Sequence, residues 1–358
     1  MYCDSTIPTD ASGPDALGAA TRSVMRLVLA LVEESAAGAA RLSDHVDSRA
    51  GWQELRNKIE AFRAFEHVDS LLGAPMCSPL PVLLARAVAL RRPLNVWAAE
   101  GLGYHMTAAR PAGRGLLQRA DLDEWALIPL HAGMGSAIAA SVLEPILQGG
   151  ADFDAARRAI AAFDAACRAN AEETHLGVAR EALGFAVRAM YAELTTLISA
   201  VLEAERPELV PSFWHGAGRA MYFAPTAACP MTRAAQHGLD EALMSPPPGE
   251  RANAVAGFAW AATLVNLRHP YVVERFVSSV AGRPRWTSAA CAGIQSALEV
   301  WRRCAPDDRA IDDFLGHQPH SAPARDAWYR VVVASPPQSA VRAGDLFTVA
   351  AAAGVATP

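Results

Sequence analysis

The sequence predicts an all-α fold, built from repeated helical pairs that pack as a bundle or short solenoid around an apolar cavity. Three observations lead there. Hydrophobic residues make up 52% of the 358 positions while aromatics are only 7%, so the apolar mass is mainly Ala, Leu and Val, and alanine has the strongest helix propensity. Apolar residues recur at helical spacing along most of the chain. A short glycine-containing pattern returns at intervals of roughly 75–80 residues, the sign of a structural repeat.

The elements follow in order. Residues 1–18 are polar, acidic and proline-containing and read as a disordered leader. From Ala20 to about Gly38 the stripe Val24, Leu27, Val28, Leu31 and Val32 predicts a helix. Further helices are expected over Trp52–Leu72, Pro81–Leu90, Arg92–Arg110, Trp125–Leu147 and Asp154–Ala171, with Pro81 in a first turn and Asp154 as an N-cap. Gly177–Glu203, Val210–Phe223, Ala252–Val280 and Thr287–Arg303 complete the set. The stretches 110–123, Pro225–Glu250 and Ala305–Pro323 read as breaks, and His269-Pro270-Tyr271 as a turn. Tyr329–Val333 is the one short β-branched run and is expected to be an isolated strand. The domain organisation is thus a leader (1–18), one helical-repeat domain (19–323) and a C-terminal extension (324–358). Its repeats fall at about 92–150, 175–225 and 252–304.

The repeat rests on named residues. Glu100-Gly-Leu-Gly-Tyr104 is echoed by Glu181-Ala-Leu-Gly-Phe185. The glycine pairs Gly133/Gly135 and Gly216/Gly218 come later in each copy, and Gly257 with Gly293 marks a fainter third one. Glycine inside a helix costs about 1 kcal/mol, so these positions need a reason. One reason is close approach of two backbones; the other is room for a ligand.

Charge and cysteine usage narrow the function. The chain carries 32 basic residues, of which Lys58 is the one lysine, and its formal net charge is −5. There is no basic stripe for nucleic acid and no polybasic segment for anionic lipid. The six cysteines lie far apart with no C-x-x-C spacing, which suits free thiols in a cytoplasmic protein. No continuous apolar run approaches the roughly 20 residues needed to cross a bilayer, so no membrane span is expected. Phosphate-loop, dinucleotide, nucleophile-elbow and zinc-protease motifs are absent.

Chemistry is expected of residues beside the repeats. Glu100, His105, His131, Glu181 and His215 would serve as acid–base groups if the repeats converge on one pocket, because burial moves such pKa values towards neutrality. A metal held by the same set is left open, and no cofactor is assigned. Arg219 stands among apolar neighbours and requires an acidic partner, with Glu181 or Glu100 as candidates. Trp97, Tyr104, Trp214 and Tyr222 are the aromatic candidates for lining a flat, unsaturated ligand. Glu172 and His175 form the only Glu-x-x-His pair near these segments. A di-iron bundle needs two such pairs.

The segment Gly216-Ala-Gly218-Arg219-Ala-Met-Tyr222-Phe223, with Ala99–Tyr104, Leu130–Ala137 and Glu181–Phe185, resembles a bacterial family of unknown function found in enediyne and polyketide gene clusters. The likeness covers about Arg92 to Phe223, and Ala182 departs from it where the first copy has glycine. It implies natural-product tailoring on a hydrophobic, polyene-like small molecule. The alternatives from other classes are a carrier that sequesters such a compound for self-resistance, and a helical-repeat scaffold for a partner protein. Homo-oligomerisation is left open.

Overall fold

The computed structural model describes residues 46–110, 113–118, 121–224 and 234–334, with Ala36. Among these residues every regular element is helical and no strand occurs. The α-helices are α1 (Val46–Glu66), α2 (Val68–Leu72), α3 (Leu80–Val88), α4 (Leu94–Ala108), α5 (Glu124–Gly149), α6 (Phe153–Asn170), α7 (Leu176–Met190) and α8 (Thr195–Glu205). They continue with α9 (Val210–Phe223), α10 (Ala234–Met244), α11 (Arg251–Asn266), α12 (Glu274–Ala281), α13 (Pro284–Cys304), α14 (Ala310–Leu315) and α15 (Ala322–Trp328).

The core is a run of neighbours, α4 on α5, α5 on α7, α7 on α9, α9 on α11 and α11 on α13, with α1 laid across α4 and α11. Glycine makes this possible. A methyl group added at Gly133 would overlap the carbonyl of Glu100, and one at Gly103 would overlap that of Leu130. The same holds for Gly135 on Ala179, Gly184 on Phe213, Gly216 on Glu181, Gly218 on Ala254, Gly257 on His215 and Gly293 on Ala256. Helix separation is set by the side chains at the crossing. Removing them brings backbones close enough for Cα–H groups to meet carbonyls on the facing helix. Of the two reasons for these glycines, close backbone approach is the one the geometry displays at every pair.

This close packing explains α5. It is 26 residues long and apolar enough by length and composition to reach across a bilayer, and 78% of its most apolar window is buried within the protein. No continuous apolar run marks α5 in the sequence, because His131, Ser136 and the glycines interrupt it without lowering its mean hydropathy much. In the fold those interruptions are interior too: His131 is fully buried and Ser136 bonds back to the Ala132 carbonyl at 3.1 Å.

Several sequence expectations need correction. Asp152, not Asp154, caps α6, its carboxylate accepting from the Ala155 amide at 2.7 Å. The helix expected over Gly177–Glu203 breaks after Met190, where Tyr191 adopts φ −137° and ψ 47°, and the chain turns by 117° into α8. The helix expected over Ala252–Val280 stops at Asn266, before Pro270, whose missing N–H cannot continue it. The breaks at Pro225–Glu250 and Ala305–Pro323 contain α10 and α14. Tyr329–Val333 is a π-helical turn continuing α15 and not a strand. There, burial of Val331 and Val332 against the body overrides the β propensity of the run. The leader, the helix expected over Ala20–Gly38 and the tail beyond 334 lie outside the described residues.

Candidate functional site

The helices that cross through glycine also carry the charged residues inward. Glu181 on α7 is completely buried and Arg219 on α9 nearly so. The Arg219 Nη1 donates to Glu181 Oε2 at 2.6 Å, and Nη2 reaches Glu100 Oε1 on α4 at 3.4 Å. The His215 Nδ1 lies 3.0 Å from Glu181 Oε1. Three helices thus contribute a buried chain, Glu100–Arg219–Glu181–His215. The Arg219 guanidinium lies 4.4 Å from the Trp260 ring centre and 5.1 Å from that of Phe185, an aromatic bracket that suits a desolvated cation.

The two carboxylates are held differently. Burial alone would raise both pKa values. At Glu181 the Arg219 charge and the His215 contact outweigh burial and hold the carboxyl below its ordinary range. At Glu100 burial wins, assisted by the Glu181 charge, and the pKa lies above the ordinary value despite Arg219. The longer contact to Arg219 fits this split. Glu181 is the structural counter-ion, and Glu100 is the carboxyl prepared to hold a proton.

Glu100 and Arg219 form the floor of a half-open cleft of ≈ 270 Å³ between α1, α4, α5, α7 and α9. Its walls are mainly aromatic: Phe62 and Phe65 from α1, Trp97 and Tyr104 from α4, Phe185 from α7 and Phe223 from α9. The rings lean on one another, Phe62 on Phe223 at 5.5 Å and Phe65 on Tyr104 at 5.3 Å between centroids. Arg188 and Glu66 also line the cleft, Arg188 donating to Glu241 at 2.6 Å.

The remaining candidates lie elsewhere. His131 is fully buried beside His175, its ring stacked 4.9 Å from that neighbour. Its Nδ1 is 2.7 Å from the Leu127 carbonyl and its Nε2 accepts from the Glu172 amide at 3.0 Å, which assigns Nδ1–H as donor and a neutral ring. Burial depresses its pKa to about 4. His131 therefore joins the start of α7 to α5 and takes no place in the cleft. Glu172 reaches His175 Nδ1 at 2.7 Å, a local pair in the same corner. His105 sits against Phe65 and Tyr104, 6.3 and 5.3 Å between ring centres, without lining the cleft. Trp214 is buried with its indole N–H on Ser199 at 3.2 Å.

Tyr222 belongs to a second buried network that fixes α1. Its hydroxyl accepts from Asn266 Nδ2 at 2.7 Å, and the Lys58 ammonium lies 3.9 Å from its ring centre. Asn57 donates to Asn266 Oδ1 at 2.9 Å and accepts from Gln53 at 2.8 Å. Lys58 pairs with Glu54 at 2.8 Å. In the sequence, the one signal that α1 belongs to the site is the pair Phe62 and Phe65, three apart and so neighbours on the helix surface.

Among the described residues no group of three or more His, Cys, Asp or Glu is arranged to hold a metal ion. Cys77, Cys167 and Cys304 are free thiols, and burial pushes the Cys304 thiol up to about 12. Compared with known proteins, the chain matches no family model, no curated protein and no solved structure.

Proposed function

We propose that the protein is a small-molecule enzyme that takes an apolar, unsaturated compound into the aromatic cleft and moves a proton on it with Glu100. The observation that carries this reading is the setting of Glu100: a carboxyl with a raised pKa in a cleft whose lining includes six aromatic side chains. A carboxyl whose pKa moves towards neutrality alternates between acid and base more readily at working pH. Aromatic faces supply flat contact area for a conjugated ligand. The cleft volume, ≈ 270 Å³, suits a compact ligand or one segment of a longer chain. The likeness of the Gly216–Phe223 segment to the enediyne-cluster family agrees with a polyketide-derived substrate and a tailoring step in secondary metabolism.

A second reading shares the same cleft: a carrier that sequesters the compound unchanged. The closed Arg219–Glu181 pair favours it, since that pair gives the floor a fixed, charge-balanced structure without any reaction.

One experiment separates the readings. Wild-type protein and the Glu100→Gln variant are isolated from the cells that naturally make the chain, and solvent-released compounds are compared by mass and ultraviolet spectrum. The enzyme reading expects an apolar unsaturated compound from both, different in the two. The same compound from both establishes the carrier. Its absence from both removes the small-molecule site altogether.

A further inference from the structure

One buried polar atom of a residue that lines the cleft has no hydrogen-bond partner. Arg219 is 3% exposed, its two terminal nitrogens are committed to Glu181 and Glu100, and its Nε–H meets no acceptor. A buried N–H without an acceptor carries a desolvation cost, which a native fold tolerates where a ligand or water completes it. The group is cationic, so the bond it lacks is of the stronger, charge-assisted kind. The same arginine lines the cleft together with Glu100.

The geometry points to a carbonyl-bearing, conjugated ligand whose oxygen accepts from Arg219 Nε–H while Glu100 exchanges a proton on the carbon beside that carbonyl. This rests on the cleft reading above and names its substrate class and reaction. The step balances without a co-reactant. Glu100, as carboxylate, takes a proton from the carbon α to the carbonyl, and the C–H pair becomes the enolate C=C while the C=O pair moves onto oxygen. Arg219 Nε–H donates to that oxygen, where negative charge develops. The Glu100 carboxylic acid then returns the proton to the α carbon or to a conjugated position, giving exchange or isomerisation. A carbonyl fits better than a carboxylate. Arg219 is already neutralised by Glu181, so a ligand carboxylate would bring an unpaired negative charge beside Glu181 and Glu100.

The test uses a matched pair of probes, 4-phenylbut-3-en-2-one and 1-phenylbut-1-ene, which differ by one carbonyl. Binding to the full chain is followed by quenching of tryptophan fluorescence. Exchange at the ketone's methyl group is followed in deuterium oxide by mass spectrometry. The ketone is expected to bind at least about tenfold more tightly than the hydrocarbon, the range a hydrogen bond to a charged donor gives. Its methyl protons are expected to exchange in wild-type protein and, at saturating ketone, only at the buffer rate in Glu100→Gln. Equal binding of the two probes overturns the carbonyl inference and leaves the cleft standing. Failure of both to bind overturns the cleft reading as well. Tight ketone binding with exchange unchanged in Glu100→Gln overturns the proton-transfer step alone.

Discussion

Gly133 packs its Cα against the backbone carbonyl of Glu100, so the residue whose side chain floors the cleft is also the tightest crossing point between α4 and α5. Gly216 meets Glu181 in the same way on α9 and α7. The two carboxylates are therefore placed by backbone contacts, which move less than side chains.

Gly133→Ala and Gly216→Ala are expected to destabilise the fold by about 1–3 kcal/mol or more, the cost of overpacking an interior. This outweighs the helix-propensity gain of about 1 kcal/mol that Ala brings. Gly149→Ala, with nothing within 4 Å of the added methyl, is expected to be neutral or stabilising. Urea unfolding of the three variants checks the contrast.

Glu100→Gln is expected to stabilise the protein at neutral pH and to alter its pH dependence. The folded state holds the Glu100 proton above the ordinary value of 4.5, so it binds more protons than the unfolded chain in that window. Stability from this group therefore falls as pH rises from 4.5 through the folded pKa. Thermal unfolding from pH 4 to 8 should show a shallower fall across that window in the variant than in the wild type.

Glu181 has the opposite sign. Its folded pKa is depressed, so its contribution is present above the unfolded value and is lost as pH falls through the folded one. Removing Arg219, as in Arg219→Met, leaves Glu181 buried without its cation and is expected to cost about 3–5 kcal/mol. Denaturant midpoints for this variant, at pH 7 and below pH 4, should differ most from wild type at pH 7.

His131 supplies a separate test. Its folded pKa is about 4 against an ordinary 6.5, so the unfolded chain binds the extra proton between those values and stability is lost as pH falls from 6.5 towards 4. The largest possible loss is about 3 kcal/mol, from 1.36 kcal/mol per pH unit. His131→Asn should remove this contribution, while His269, also near 4, keeps its own. Because His131 lies outside the cleft, ligand binding should be unchanged at pH 7.5.

Asn57→Ala is expected to cost about 1–3 kcal/mol by leaving Gln53 and Asn266 without their partner. It should also weaken ligand binding, because the same network seats α1, which carries Phe62 and Phe65 of the cleft wall. Binding and unfolding measured on one preparation distinguish this from simple loss of folded protein.

Much of this site was legible in the sequence for physical reasons. A buried arginine demands an acid, and Glu100 and Glu181 were the acids at repeated places; both contact Arg219. Paired glycines inside apolar helices demand close backbones, and each pair has one. Trp97 and Tyr104 do line the cleft, whereas Trp214 and Tyr222, equally aromatic and about two turns apart on α9, bond to Ser199 and Asn266 instead. α9 is buried on nearly every face, so periodicity does not reveal which of its rings turns towards the cleft. His131 illustrates the same limit: its neighbours in sequence do not show that the Glu172 amide, 41 residues on, will occupy its ring nitrogen.

The most direct measurement is a crystal structure of the full chain soaked to saturation with 4-phenylbut-3-en-2-one. The probe is expected between Phe62, Phe65, Phe185 and Phe223, with its oxygen within hydrogen-bond reach of Arg219 and its methyl group facing Glu100. A probe bound elsewhere with this cleft empty would contradict the cleft reading.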